Sequence, residues 1–209
     1  MYIEFIKIET YFARCFRDLA ILLNATVLLF VLIAPRLTLA TTAPPEECYR
    51  AARLASHETT VPLNVLLAIA RTETGRQIGN RIQPWPWAIN FAGKGDWLAS
   101  EAGLLETALN LIADGERLFD VGCFQLNYHW HGAEFSSLDE MISPRANALY
   151  AAQFLEDLFK EFGDWTKAVG AYHSRTEALA TSYTARFLTH YNEDEEPLGF
   201  AMQQGAKPV

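Results

Sequence analysis

Apolar and small residues recur along most of this chain at helical spacing, and the spacing fails in two stretches. After Pro44-Pro45, the residues Cys48, Ala51, Ala52 and Ala55 share one face and predict a helix through about residue 57. Thr59-Thr60-Val61-Pro62 separates it from a second helix, in which Leu63, Leu66, Leu67 and Ala70 form an apolar stripe that ends at Gly75. Residues 83–97 break into Pro-Trp-Pro-Trp, then Ala88-Ile89-Asn90-Phe91 and Gly93-Lys94-Gly95, which predicts a short strand, a turn and a second short strand. Ser100 can cap a helix closed by Asp114-Gly115, and residues 120–127 are again non-helical around Gly122. Helices then return. Ser143-Pro144 opens one that carries Leu149, Ala152, Leu155, Phe159 and Phe162 to Gly163, Asp164 caps a short one to Tyr172, and a last covers about residues 178–191. The expected class is mainly α (α+β), with a small β-hairpin region between helices and no internal repeat.

Composition changes the picture most at the two ends. Lys7, Arg14 and Arg17 precede a nearly unbroken apolar run over residues 19–34, and Thr38-Leu39-Ala40 supplies a small-residue cleavage pattern. Residues 1–40 therefore read as a signal peptide. The run contains Asn24 and Thr26 and falls short of the roughly 20 apolar residues of a comfortable membrane span, which makes an uncleaved anchor the alternative. The expected organisation is a signal peptide over 1–40, one domain over 41–192 and a flexible acidic tail over 193–209. Removal of residues 1–40 would leave 13 basic and 22 acidic residues, a formal charge of −9. An acidic chain without a basic stripe argues against nucleic acid or anionic lipid as partner. The same cleavage would remove Cys15 and leave Cys48 and Cys123, which in an oxidising compartment suggest one disulfide, with two unpaired buried thiols as the alternative. His129-Trp130-His131 lacks further ligands and reads as a surface loop, so no metal is expected; no phosphate loop or nucleotide fingerprint is found, so no cofactor is expected.

Glu73 sits at the end of the second predicted helix, just past the apolar turn formed by residues 66–70. An apolar wall raises a carboxyl pKa by disfavouring its charged form, and glycoside cleavage needs such a protonated acid beside the leaving oxygen. Taken alone, a helix-end glutamate is more often solvated. Its context carries more. The segments Ala68-Ile69-Ala70-Arg71-Thr72-Glu73-Thr74-Gly75, then Asp120-Val121-Gly122-Cys123-Phe124-Gln125-Leu126-Asn127, then Ala168-Val169-Gly170-Ala171-Tyr172-His173-Ser174 resemble, in order and spacing, the three main motifs of the soluble lytic transglycosylase domain.

The resemblance implies a lysozyme-like fold with a cleft for strands of alternating N-acetylglucosamine and N-acetylmuramic acid. It implies Glu73 as acid/base, Gln125 and Asn127 on the cleft floor, and Tyr172 reaching toward the carboxyl and the sugar. Thr74 and His173 stand where the family usually has Ser and Asn, the first keeping a hydroxyl and the second leaving the sugar contacts there open. The alternative for Gln125 and Asn127 is loop hydrogen bonding, and for Tyr172 a core tyrosine. Trp85, Trp87 and Trp97 offer flat apolar faces, and Trp87 is taken as the substrate contact, against the commoner core role. Cys123, bonded to Cys48, would pin the catalytic segment to the first helix.

Asp120 divides the possible chemistries. The resemblance implies cleavage by Glu73 without water, giving 1,6-anhydromuramyl ends, with Asp120 as an electrostatic helper of the kind found in specialised members attached to secretion, conjugation or flagellar machines. A muramidase using Glu73 with Asp120 is the second possibility, since a retaining hydrolase needs two carboxyls about 5 Å apart. An inactive glycan-binding assembly factor is the third, and an aspartate that merely holds the Gly122 turn is the structural alternative. The expected partners are peptidoglycan glycan strands and an envelope machine; the expected state is a monomer exported to the periplasm of a Gram-negative bacterium.

Overall fold

The computed structural model describes residues 43–194, so the expected signal peptide and most of the expected acidic tail lie outside the described residues. Helix α1 (Pro44–Glu58) begins on its paired prolines and places Glu46 and Glu47 in its first turn, where the positive end of the helix dipole favours them. Its small-residue face of Cys48, Ala51, Ala52 and Ala55 is buried and lies against the long helix α6 (Pro144–Phe162). Helix α2 (Leu63–Thr74) is buried continuously from Val65 to Ala70, as expected of a helix enclosed on every side. It stops at Gly75, where a Cβ would stand 2.2 Å from the Arg71 carbonyl oxygen and 2.6 Å from Ile82 Cγ2. Only glycine lets the chain leave so tightly, and that exit leaves Glu73 in the last turn.

After α2 come two antiparallel pieces. The hairpin β1 (Arg76–Ile78) and β2 (Arg81–Gln83) was not marked by the sequence pattern. The second sheet has the order β4-β3-β5-β6, from β3 (Ala88–Phe91), β4 (Lys94–Trp97), β5 (Phe119–Val121) and β6 (Leu126–Asn127), all neighbours antiparallel. Strand alternation sends Ile89, Val121 and Leu126 into the core, and the residues between them to the other face. Helix α3 (Glu101–Ala113) separates β4 from β5 and is capped by Ser100 Oγ, which accepts from Gly103 N at 3.2 Å.

The remaining helices are α4 (Tyr128–His131), α5 (Leu138–Ile142), α6, α7 (Trp165–His173) and α8 (Glu177–Asp194), with a 3-10 turn at Gly132–Glu134. Residues 129–131 are therefore a helical turn rather than the expected loop, and α5 is a further element that the pattern did not mark. Gly163, at φ 66, ends α6 in the left-handed conformation, and Asp164 Oδ1 accepts from Lys167 N at 2.9 Å to start α7. Helix α8 packs on both α2 and α7 and buries Tyr183 and Phe187. The architecture is an α+β, lysozyme-like arrangement of helices around α2 with small antiparallel sheets, in keeping with the class expected from the sequence.

The turn between β5 and β6 is fixed from three directions. Gly122 has φ 82, and a Cβ there would lie 2.6 Å from Asn147 Nδ2. Asn147, fully buried on α6, donates from Nδ2 to the Val121 and Met141 carbonyls at 3.1 and 3.0 Å and accepts from Phe124 N at 2.9 Å. The Cys48–Cys123 disulfide, with Cα atoms 5.6 Å apart, ties the turn to α1.

Candidate active site

Helix α2, the four-stranded sheet, α4 and α8 border a cleft of about 530 Å³. Glu73 lies on its wall, half-buried. Its Oε1 accepts from the Tyr183 hydroxyl at 2.6 Å. Burial pushes the Glu73 carboxyl up to about 7, against the lowering effect of the Tyr183 hydrogen bond; the negative charge of Asp120 adds to the rise and Arg186 opposes it. At neutral pH such a group is a proton donor and, once emptied, a base.

The second carboxylate stands in a row set by strand register. Asn90 on β3, Asp120 on β5 and Asn127 on β6 are paired across the sheet, so their side chains share the face turned to the cleft. Asn90 Nδ2 donates to Asp120 Oδ2 at 3.1 Å and Asn127 Nδ2 donates to Oδ1 at 2.8 Å. Burial raises the Asp120 pKa, while these two amides and the nearby His173 and His131 lower it. Asn127 Oδ1 meanwhile accepts from the backbone N–H groups of His129 and Trp130 at 3.1 and 3.4 Å, so one amide both caps α4 and holds Asp120. Gln125 adopts φ 46 and donates from Nε2 to the carbonyls of Ala88 and Gly122 at 3.2 and 3.1 Å on the cleft floor.

Three expected contacts fall elsewhere. The Tyr172 hydroxyl donates to the Phe124 carbonyl at 2.7 Å; Tyr172 lines the cleft, but the residue bonded to Glu73 is Tyr183. Trp87 packs partly buried against the core, and the indoles on the cleft wall are those of Trp130 and of Trp97, the latter fixed by its Nε1 donating to the Thr74 carbonyl at 2.9 Å. Thr74 is buried, its hydroxyl donating to the Ala70 carbonyl at 2.9 Å and accepting from Trp85 N at 3.1 Å, so it braces the exit of α2 instead of facing a ligand. His173 does reach the cleft and stacks on Tyr183 with ring centroids 4.5 Å apart. His131, expected on a surface loop, is a half-buried wall residue with Nδ1 2.9 Å from the Tyr150 hydroxyl. Burial pushes both imidazoles down and both tyrosine hydroxyls, Tyr172 and Tyr183, well above the ordinary tyrosine range. Among the described residues no cluster of three or more His, Cys, Asp or Glu is arranged to hold a metal.

Tyr183, Asn90, Arg186 and Asn147 were not singled out by the sequence. Tyr183 falls on the buried face of an amphipathic helix, where a tyrosine looks like core, and Asn90 needed a strand register that composition does not specify. Just under half of the chain matches the family model of the transglycosylase SLT domain. The family model matches residues 98–194, from the end of β4 through α8, and so takes in Asp120, Gln125, Asn127, Tyr172, His173 and Tyr183. Glu73 lies ahead of the matched segment, at the end of α2, and lines the same cleft as the matched residues. No curated protein and no solved structure matches the chain. An SLT domain indicates peptidoglycan cleavage of the lytic-transglycosylase type at the level of the family, and domains of this kind generally act in the periplasm. Among the described residues no helix is long and apolar enough to cross a membrane.

Proposed function

We propose that this chain is a peptidoglycan lytic transglycosylase that cleaves the β-1,4 bond from N-acetylmuramic acid to N-acetylglucosamine, with Glu73 as its acid and base. The observation that carries the proposal is the placement of Glu73 in the cleft, bonded to Tyr183 and sheltered so that burial pushes its carboxyl up to about 7. Protonated Glu73 gives its proton to the glycosidic oxygen as the C1–O bond breaks. The muramyl N-acetyl carbonyl and the Asp120 carboxylate hold the positive charge that develops on the ring. The ionised Glu73 then takes the proton of the muramyl C6 hydroxyl while O6 bonds to C1, which closes the 1,6-anhydro ring and restores the acid. No water is consumed.

Asp120 acts here as an electrostatic stabiliser, with Asn127 and Asn90 holding its oxygens in place and favouring their charged form against the effect of burial. Trp97, 44% exposed, and Trp130, 70% exposed, present indole faces to the cleft as platforms for sugar rings, a role that suits an amphipathic aromatic with one rigid plane. Gln125, Asn127, Tyr172 and His173 supply the polar floor. Export of the chain to the periplasm, with residues 1–40 as a cleaved signal, accounts for a Cys48–Cys123 bond, since disulfides persist in oxidising compartments.

The presence of Asp120 in the same cleft favours one second reading, hydrolysis by a pair of carboxyls. Release of soluble fragments from purified sacculi tests the shared part of both. Glu73→Gln is expected to lower the rate by roughly 10²–10⁴-fold, and unchanged release by that variant would overturn the assignment. A wild-type protein that binds sacculi and releases nothing would instead be a glycan-binding assembly factor.

A further inference from the structure

The walls of the cleft are electrically lopsided. Glu73, Asp96 and Asp120 line it against one guanidinium, that of Arg186, in a chain whose formal charge is −8. Burial keeps the imidazoles of His131 and His173 below their ordinary protonation range, which leaves Arg186 as the permanent positive charge on these walls. Arg186 lies one turn beyond Tyr183 on α8, its guanidinium carbon 5.5 Å from the centre of the Tyr183 ring. It is exposed, and among the described residues it has no ion-pair partner. An arginine steadied by an aromatic face, with its fork of donors unused, is suited to a planar carboxylate. Neutral sugar rings offer it only hydroxyl and amide groups. Muramyl residues differ from glucosamine residues by a lactyl ether that ends either in a free carboxylate or in an acidic peptide.

We propose that Arg186 is a specificity-determining residue that receives the carboxylate of the muramyl substituent, so that the cleft selects acid-bearing glycan over a neutral β-1,4-linked N-acetylglucosamine chain. The proposal rests on the glycan-cleaving reading above and adds to it the feature by which the strand is recognised. A cation at this position also offsets the repulsion between the acidic walls of the cleft and an anionic polymer.

The test is binding by the Glu73→Gln protein, which holds ligand without turnover. Three ligands of equal glycan length are compared by calorimetry: an N-acetylglucosamine oligomer, strands stripped of peptide to expose the lactyl carboxylate, and strands that retain acidic peptides. The acid-bearing strands are expected to bind about tenfold more tightly than the neutral oligomer, a ratio that falls to near unity on adding Arg186→Gln and is largely kept with Arg186→Lys. Preference for stripped strands assigns the lactyl carboxylate as the group bound; preference for peptide-bearing strands alone assigns the peptide carboxylate. An unchanged ratio in Arg186→Gln overturns the proposal, as does an equal loss of affinity for charged and neutral ligands, which is what a structural role would give. If Glu73→Gln binds no glycan of any kind, the glycan-cleaving reading fails and this inference falls with it.

Discussion

At the end of α2, burial opposes the charge on Glu73 more strongly than Tyr183 and Arg186 favour it, and the carboxyl titrates near 7. The free enzyme should therefore lose kcat/KM as pH rises through about 7, where the acid form is emptied. Tyr183→Phe removes a donor to the ionised carboxylate, so it should move that alkaline limb upward and lower kcat by about tenfold, measured as a full pH profile on sacculi. Stability follows the same shift. Folded Glu73 holds its proton to a higher pH than the unfolded chain does, so folding takes on a cost as pH rises from the ordinary glutamate range and bears it in full above about 7. Glu73→Gln should accordingly gain on the order of 2 kcal/mol in urea denaturation at pH 8 and almost nothing at pH 4. Equal gains at both pH values would mean that the carboxyl is not perturbed by its site. The candidate acid was legible in the sequence through the order of the three motifs around Glu73, since an apolar helical turn ending at a glycine does not by itself mark an acid. Its partner was not. Tyr183 is 110 residues away and occupies a core position of α8, and nothing in its local pattern separates a tyrosine that packs from one that also donates into a cleft.

Among the elements, the four-stranded sheet shows most directly how position becomes function. Period-two alternation sends Ile89, Val121 and Leu126 inward, and register then places Asn90, Asp120 and Asn127 side by side over the cleft. The hairpin of β3 and β4 was legible from Ala88-Ile89-Asn90-Phe91 followed by Gly93-Lys94-Gly95, but the pairing of β3 with β5 joins residues 30 positions apart, and local pattern carries no information about it. The β5–β6 turn depends in turn on Asn147. Replacing it with alanine would strand two carbonyls and one N–H in the core, and a loss of about 3 kcal/mol or more is expected in denaturant titrations, with activity falling in parallel because Gln125 and Asp120 lose their footing. Asn127→Ala should act more gently. It removes the α4 cap, worth about 1 kcal/mol, and frees one Asp120 oxygen, so kcat should fall more than stability does.

For the molecule as a whole, the disulfide links α1 to the β5–β6 turn across 75 residues. A chain-entropy argument for a loop of that length gives roughly 4 kcal/mol. The Cys48→Ser, Cys123→Ser double variant should therefore melt roughly 10 °C lower in a thermal scan, and reduction of the wild type should do the same. A midpoint unmoved by either change would mean that Asn147 and core packing hold the turn by themselves. The order of helices was readable because caps and apolar faces are local: Ser100, Asp164 and Gly163 sit where the pattern put them. The fit of aromatic residues to core or cleft was not, since tertiary packing sets Trp87 against the core and Trp97 on the cleft wall.

In the proposed mechanism Glu73 directs intramolecular closure on C1, with Asp120 steadying the charge. Mass analysis of muropeptides released from purified sacculi in ¹⁸O-labelled water tests it most directly. The mechanism predicts 1,6-anhydromuramyl ends without label, produced by the wild type and lost with Glu73→Gln. Reducing muramyl ends that carry ¹⁸O would contradict it and assign the pair Glu73 and Asp120 to hydrolysis.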